Sequence, residues 1–135
     1  MIRTVLNATQ HKATIEQKEV GVMDLPELYA DQVKDLLTFD QVPTVEEIED
    51  RAEEIVETIL NYIESLPFDY PVRGLEVMIG GAPYLMQDLE DALVRKHMLP
   101  VYAFSTRVSE DQHQPDGSVK KVQVFKHAGW VRKYQ

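Results

Sequence analysis

Between Thr44 and Leu66, apolar side chains recur at steps of three and four: Val45, Ile48, Ala52, Ile55, Ile59, Tyr62, Ile63 and Leu66. An α-helix turns once every 3.6 residues, so this spacing places them on one face of a helix of roughly 20 residues. Thr44-Val45-Glu46-Glu47 opens the segment as a capping box, in which Thr44 and Glu47 satisfy free amides of the first turn. Glu46, Glu49, Asp50, Glu53, Glu54 and Glu57 fall on the other face, a solvated surface rather than a metal site. A helix that is apolar on one side must lay that side on another layer, and short β-branched runs elsewhere supply a sheet.

Those runs are Ile2 to Leu6, Val22 to Leu25, Leu75 to Ile79 and Leu99 to Val108. Thr14-Ile15-Glu16-Gln17 is a second capping box. It predicts a short helix to about Val20, with Gly21 as its stop. Pro26 suits the first turn of a helix running to about Leu37, and Tyr84 to about His97 reads as another. Pro115-Asp116-Gly117-Ser118 has turn chemistry, so Val119 to Lys126 returns antiparallel to the strand before it. The 135 residues provide for one core and not two. The expected fold is a single-domain, Rossmann-like α/β sandwich over residues 1–135, with a mostly parallel sheet ending in an antiparallel hairpin. Right-handed crossovers would set the loops after Leu6 and after Ile79 at one carboxyl edge, where open α/β folds bind ligands.

The formal charge of −9 argues against binding duplex nucleic acid, whose affinity comes from neutralising phosphates. Its distribution is uneven. Residues 1–98 carry 8 basic and 20 acidic side chains, against 6 and 3 in residues 99–135. A small basic region on an acidic body suits a compact anion, or else only keeps a hairpin edge solvated. No apolar run approaches the roughly 20 residues needed to cross a bilayer, and Met1 to Asn7 lacks the core of a secretory signal. The absence of cysteine fits a reducing cytoplasm.

Candidate chemistry gathers at strand ends. Gly80 and Gly81 stand where a strand gives way to a helix, and without a Cβ they let an anion approach the helix's free amides; alternatively they only make a tight turn. They match neither GxGxxG nor GxxxxGK[ST]. Ala82 and Pro83 stiffen the turn, and Tyr84 either stacks on a base or starts the helix. Asn7, Thr9, Gln10 and His11 form a dense polar set after the first strand, able to bond a base, sugar or phosphate. His11 is the candidate general acid or base. Ser105 and Arg107 lie two apart on one strand face, with Arg107 suited to a bidentate phosphate contact and Lys126 adding a point charge. His11, His97, His113 and His127 have no metal-ligand spacing, no GxSxG elbow accompanies Ser105, and no cofactor or metal is expected. Trp130 reads as a packed core or dimer-interface aromatic.

Val5-Leu6-Asn7-Ala8-Thr9-Gln10-His11, followed by Ala13-Thr14-Ile15-Glu16-Gln17, resembles the strand, polar loop and helix that open small stand-alone proteins of the CRISPR-associated Rossmann fold (CARF) group and similar prophage proteins. Met78-Ile79-Gly80-Gly81-Ala82-Pro83-Tyr84 is similar to the second ligand loop of that architecture. The resemblance implies a homodimer in antiviral defence that binds a cyclic oligoadenylate-type messenger across its two-fold axis. It would sequester the messenger, or cleave it without metal through the ligand's own 2′-hydroxyl. It places Asn7, Thr9, Gln10 and His11 in the first loop and Gly80, Gly81, Ala82 and Tyr84 in the second. The reading from residues alone leaves two further possibilities, a phosphodiester-cleaving enzyme with His11, Arg107 and Lys126 at the phosphate, and an acidic protein-interaction adaptor.

Overall fold

A strand of three residues is held by its neighbours rather than by its own length, and three of the five strands in this chain are that short. A computed structural model describes residues 3–134, so the expected start of the first strand at Ile2 and the reading of Met1 to Asn7 as lacking a signal fall partly outside it. The elements are β1 (Val5–Asn7), α1 (Ile15–Glu19), β2 (Val22–Asp24), α2 (Glu27–Leu37), α3 (Val45–Glu64), β3 (Glu76–Met78), α4 (Pro83–Arg95), β4 (Leu99–His113) and β5 (Val119–Arg132). They form one sheet in the order β2-β1-β3-β4-β5. The first four strands are mutually parallel, and β5 runs antiparallel to β4. This is the mostly parallel α/β sheet with a terminal hairpin that the residue pattern indicates.

Alternation along the strands gives the sheet two apolar faces. Leu6, Ala8, Val77 and Ile79 join Val33 and Leu37 of α2, Ile55 and Ile59 of α3, and Leu85, Leu89 and Leu93 of α4 in the main core. Val5, Ala13, Val22, Met78 and Val101 form a smaller cluster on the other face, capped by Trp130. Trp130 therefore packs within its own chain. α3 has the expected stripe, except that Val45 is 71% exposed. Both capping threonines accept as expected, Thr14 Oγ1 from the Gln17 amide and Thr44 Oγ1 from the Glu47 amide, each at 3.1 Å, but only Gln17 completes its box; Glu47 meets the Thr44 hydroxyl at 3.4 Å and not the Thr44 amide. Among the described residues no helix is long and apolar enough to cross a membrane.

Several boundaries differ from expectation, and β1 begins at Val5, with Arg3 and Thr4 outside the strand expected from Ile2. α4 stops at Arg95 because His97 takes a left-handed conformation (φ 67°), with its amide donating to Val94 and that of Met98 to Leu93. This is a Schellman ending, so His97 is a helix stop. The hairpin strands reach Leu99–His113 and Val119–Arg132, well past the expected Val108 and Lys126. Ser109, Glu110, Asp111 and Gln112 have little strand preference of their own, and cross-strand pairing with Gln123, Val122, Lys121 and Lys120 extends the ladder over them.

Two buried carboxylates fasten the end of the chain. Glu76, 2% exposed in the middle of the sheet, accepts from Arg132 Nε at 2.5 Å and Nη2 at 3.2 Å. Glu90 on α4 accepts from Lys133 Nζ at 2.8 Å, Tyr134 Oη at 3.0 Å and Tyr102 Oη at 2.5 Å. Burial pushes the Glu90 carboxyl up, but the bonds from Lys133, Tyr102 and Tyr134 outweigh it and hold the group below its ordinary value. Burial, together with the bond to that carboxylate, keeps the Tyr102 phenol protonated well above the usual tyrosine range.

A carboxylate with a lowered folded-state pKa contributes stability that is complete above its unfolded value of about 4.5 and is lost as pH falls through the folded value. Urea unfolding of the native chain and of Glu90→Gln should therefore differ most near neutrality, with the gap narrowing from about pH 5 downwards. A gap that stays constant down to pH 3 would remove the ion cluster as its cause.

Candidate functional site

β1 and β3 lie side by side, yet the chain leaves them toward opposite faces, to α1 on one and α4 on the other. Where neighbouring parallel strands part in this way, a crevice opens beyond their carboxyl ends, at the switch point of the strand order. Main-chain bonds hold its two sides: the Ala8 amide donates to Met78 and the Ile79 amide to Val101.

The first side is the loop after β1, and it is built on Asn7. This side chain is buried, and its amide nitrogen donates to the His11 carbonyl and to Asp24 Oδ1, each at 2.8 Å. Its oxygen accepts from the Thr9 amide at 2.9 Å and from Thr9 Oγ1 at 2.7 Å. Asp24, at the end of β2, also takes the Ala13 amide at 2.9 Å, and Lys18 Nζ stands 3.9 Å from its other oxygen. Asn7 and Asp24 thus fix both ends of residues 8–13, turning Gln10, His11 and Lys12 outward.

The second side is the turn Gly80 to Pro83. Gly81 has φ 150°, which a side chain rarely adopts, whereas a Cβ on Gly80 would meet only Thr9 Cγ2, at 3.8 Å. Ala82 offers no side-chain cap to α4, and Pro83 occupies its first turn. Among the described residues the amides of Gly80 and Gly81 donate to no protein group. They are free donors at the positive end of a helix of 13 residues.

The two sides enclose a cleft of about 480 Å³ lined by Thr9, Gln10, His11, Lys12, Thr14, Gln17, Met78, Ile79, Gly80, Gly81, Tyr102 and Ala103. Its lining contains no carboxylate, although the chain carries 23. Lys12 and His11 are its basic groups. A neighbouring cleft on the other side of the same loop shares Thr9, Gln10, His11 and Lys12 with it and adds Asp24, Glu27 and Asp31 together with Lys18 and Lys34.

Of the residues singled out from sequence, Thr9, Gln10, His11, Gly80 and Gly81 meet here. The others do not. Asn7 spends its amide on the loop, and so positions the site without facing the cleft. Tyr84 turns to Phe39 (ring centroids 5.3 Å apart) and lines a separate apolar cleft, and Ala82 lies at the turn between the two. Ser105, Arg107 and Lys126 sit on the projecting hairpin. There the Arg107 guanidinium lies over Phe125 at 5.2 Å, and Lys126 pairs with Glu110 at 2.9 Å. Glu110 raises the Lys126 ammonium pKa above its ordinary value. The His11 imidazole is exposed, and among the described residues no side chain orients it, so the geometry provides no prepared acid–base pair. His127 packs edge-on against Trp130, with Nδ1 enclosed and without a partner.

Sequence reasoning missed Lys12, Asp24, Tyr102 and Ala103. Lys12 lay in plain view within the polar run after β1. The other three join the site only through strand pairing, which sets β2 beside β1 and β4 beside β3.

A family model described as "Uncharacterized protein MJ1673 family" matches residues 3–131. No curated protein and no solved structure matches the chain.

The loop architecture makes Asn7 the residue whose loss reaches the site indirectly. Asn7→Ala removes the acceptor of the Thr9 amide and the donor shared by Asp24 and the His11 carbonyl, and should lower unfolding free energy by about 2–3 kcal/mol. Amide exchange over residues 8–13 should accelerate with it. Equal stability in urea, with unchanged exchange in that loop, would contradict this role.

Proposed function

The chain belongs to the MJ1673 family, and we propose that it binds a nucleotide-type anionic ligand in the cleft between the loops after β1 and β3. The observation that carries this reading is the electrostatic exception that the cleft makes. On a body with a net charge of −9, the groove where two βα loops meet is lined by Gly80 and Gly81, whose amides donate to no described protein group, by Lys12 and His11, and by neutral side chains, with no acid. Preformed amide donors and one ammonium are the chemistry that holds phosphate.

The finer reading of the fold as Rossmann-like rests on the same place, because the strand order 2-1-3-4-5 has its switch point between β1 and β3. Phosphate would sit on the Gly80 and Gly81 amides with Lys12 beside it, and Thr9, Gln10 and His11 would meet sugar or base edges. The resemblance of both loops to CARF proteins supports a cyclic oligonucleotide messenger as the ligand, held by a homodimer and sequestered or slowly cleaved. If cleavage occurs, a ribose 2′-hydroxyl attacks the adjacent phosphorus, forming a 2′,3′-cyclic phosphate as the P–O5′ bond breaks and the 5′-oxygen leaves with a proton. No metal or cofactor enters that step. The protein's share is alignment of the ribose and stabilisation of charge. Arg107 and Lys126 are not needed for this reading.

Calorimetric titration with adenosine monophosphate, cyclic dinucleotides and cyclic tetra-adenylate tests it, with chromatography of the mixtures to detect products. At least one should bind. Lys12→Ala should weaken that binding about tenfold or more, the worth of a charge-assisted hydrogen bond. Gly80→Val, which fills the cleft at an unstrained position, should abolish it. No binding by any of these nucleotides, or full affinity in both folded variants, would overturn the proposal. Turnover lost in His11→Ala with binding retained would assign the acid–base role to His11, and unchanged turnover would exclude it.

A further inference from the structure

Two polar side chains in the wall of the acid-free cleft come from the start of α1, Thr14 and Gln17. Each is half of the capping box that opens this helix. That box settles more than where the helix begins. The Thr14 amide donates to Gln17 Oε1 at 3.0 Å, and because an N–H can be met there only by an oxygen, the side-chain amide of Gln17 has one orientation, with Nε2 turned away from the box. Thr14 Oγ1 likewise accepts from the Gln17 main-chain amide at 3.1 Å, which occupies a lone pair and leaves the hydroxyl proton. The box consumes acceptors and leaves donors. Among the described residues, neither Gln17 Nε2 nor the Thr14 hydroxyl donates to a protein group.

The other held groups of the cleft agree in kind. The Gly80 and Gly81 amides are donors without a described protein acceptor. Thr9 engages its hydroxyl within its own loop, giving to Asn7 and taking from the His11 amide, and Tyr102 gives its proton to Glu90. Gln10, His11 and Lys12 are exposed. We infer that Gln17, with Thr14 beside it, is a ligand-binding residue that donates to phosphoryl oxygens from the side of the β1 loop, completing the anion site begun by the glycine turn. An ionised phosphoryl group accepts through every oxygen and donates through none, so it satisfies fixed donors on both sides of the cleft, whereas an amino group would set donor against donor. α1 is five residues long, and its part is these two side chains rather than a dipole. The inference rests on the reading of this cleft as an anion site, and adds to it a residue that also builds the helix.

Nitrogen–proton correlation spectra of the native full chain, titrated with inorganic phosphate and with pyrophosphate, test it, because the Gln17 side-chain NH2 has its own pair of resonances. That pair should shift saturably together with the Gly80 and Gly81 amides. Movement of the glycine amides without Gln17 would overturn the inference and leave the anion reading standing. No movement at either place would overturn both. Movement at both in a chain that binds no nucleotide would uphold the inference and refute the nucleotide. Two variants separate the donor from the cap. Gln17→Met removes the donor without adding charge, and should weaken pyrophosphate binding about fivefold or more. Gln17→Glu completes a capping box as glutamine does, so its urea midpoint should hold, yet it sets a carboxylate oxygen where Nε2 stood and should abolish binding. Full affinity in a folded Gln17→Met, with loss confined to Gln17→Glu, would reduce the effect to charge alone and overturn the inference.

Discussion

A carboxylate buried in the middle of a parallel sheet has to find a cation, and the one that hydrogen-bonds Glu76 lies 56 residues later, on Arg132, with Arg3 standing 3.8 Å from the same carboxylate. Everything on the far side of the sheet follows from that pairing. It holds β5 against β4 in a register that drops Trp130 onto Val5, Val22, Met78 and Val101, closing a face that α1, five residues long, is too short to cover. Glu90 repeats the device one layer away, gathering Tyr102, Lys133 and Tyr134. Such pairs are poor sources of net stability, because desolvation offsets the attraction. Breaking one is costly, and that asymmetry makes them effective determinants of register.

With the sheet closed, the ends of β1 and β3 become neighbours and the cleft acquires its character. Its two sides reach rigidity by different routes. The loop after β1 is held by side chains, with Asn7 and Asp24 bonding the backbone of residues 9, 11 and 13. The turn after β3 is held by backbone conformation, through Gly81 and Pro83. The first leaves its outward side chains available, and the second its amides. Much of the acidity of the molecule lies elsewhere, on the outer face of α3, which leaves a local departure from the net charge at the cleft.

The hairpin gives the chain a second exposed surface. Its two faces diverge because alternation continues after the sheet has ended: one carries on the line of the cleft wall, the other the line of the helical core. An apolar face that loses its covering layer partway along is the property that sets the arm apart from an ordinary solvated hairpin.

Read alone, the sequence already determined the helices and their starts. The stripe from Ile48 to Ile63 and the threonine caps are local, with interacting residues three or four apart, so no knowledge of the fold is needed to see them. It also determined that two polar or glycine-rich bends follow strands, and that the terminal strands turn back at Pro115 to Ser118. Tertiary structure decided which bends meet, that Asn7 serves the loop from within, that Tyr84 turns to Phe39, and that Ser105, Arg107 and Lys126 stand on an arm away from the cleft. It also decided how far β4 and β5 extend, and that Glu76 and Glu90 are buried. Each of these depends on partners tens of residues distant, brought together by strand order and register, and a one-dimensional pattern contains no term for such pairings.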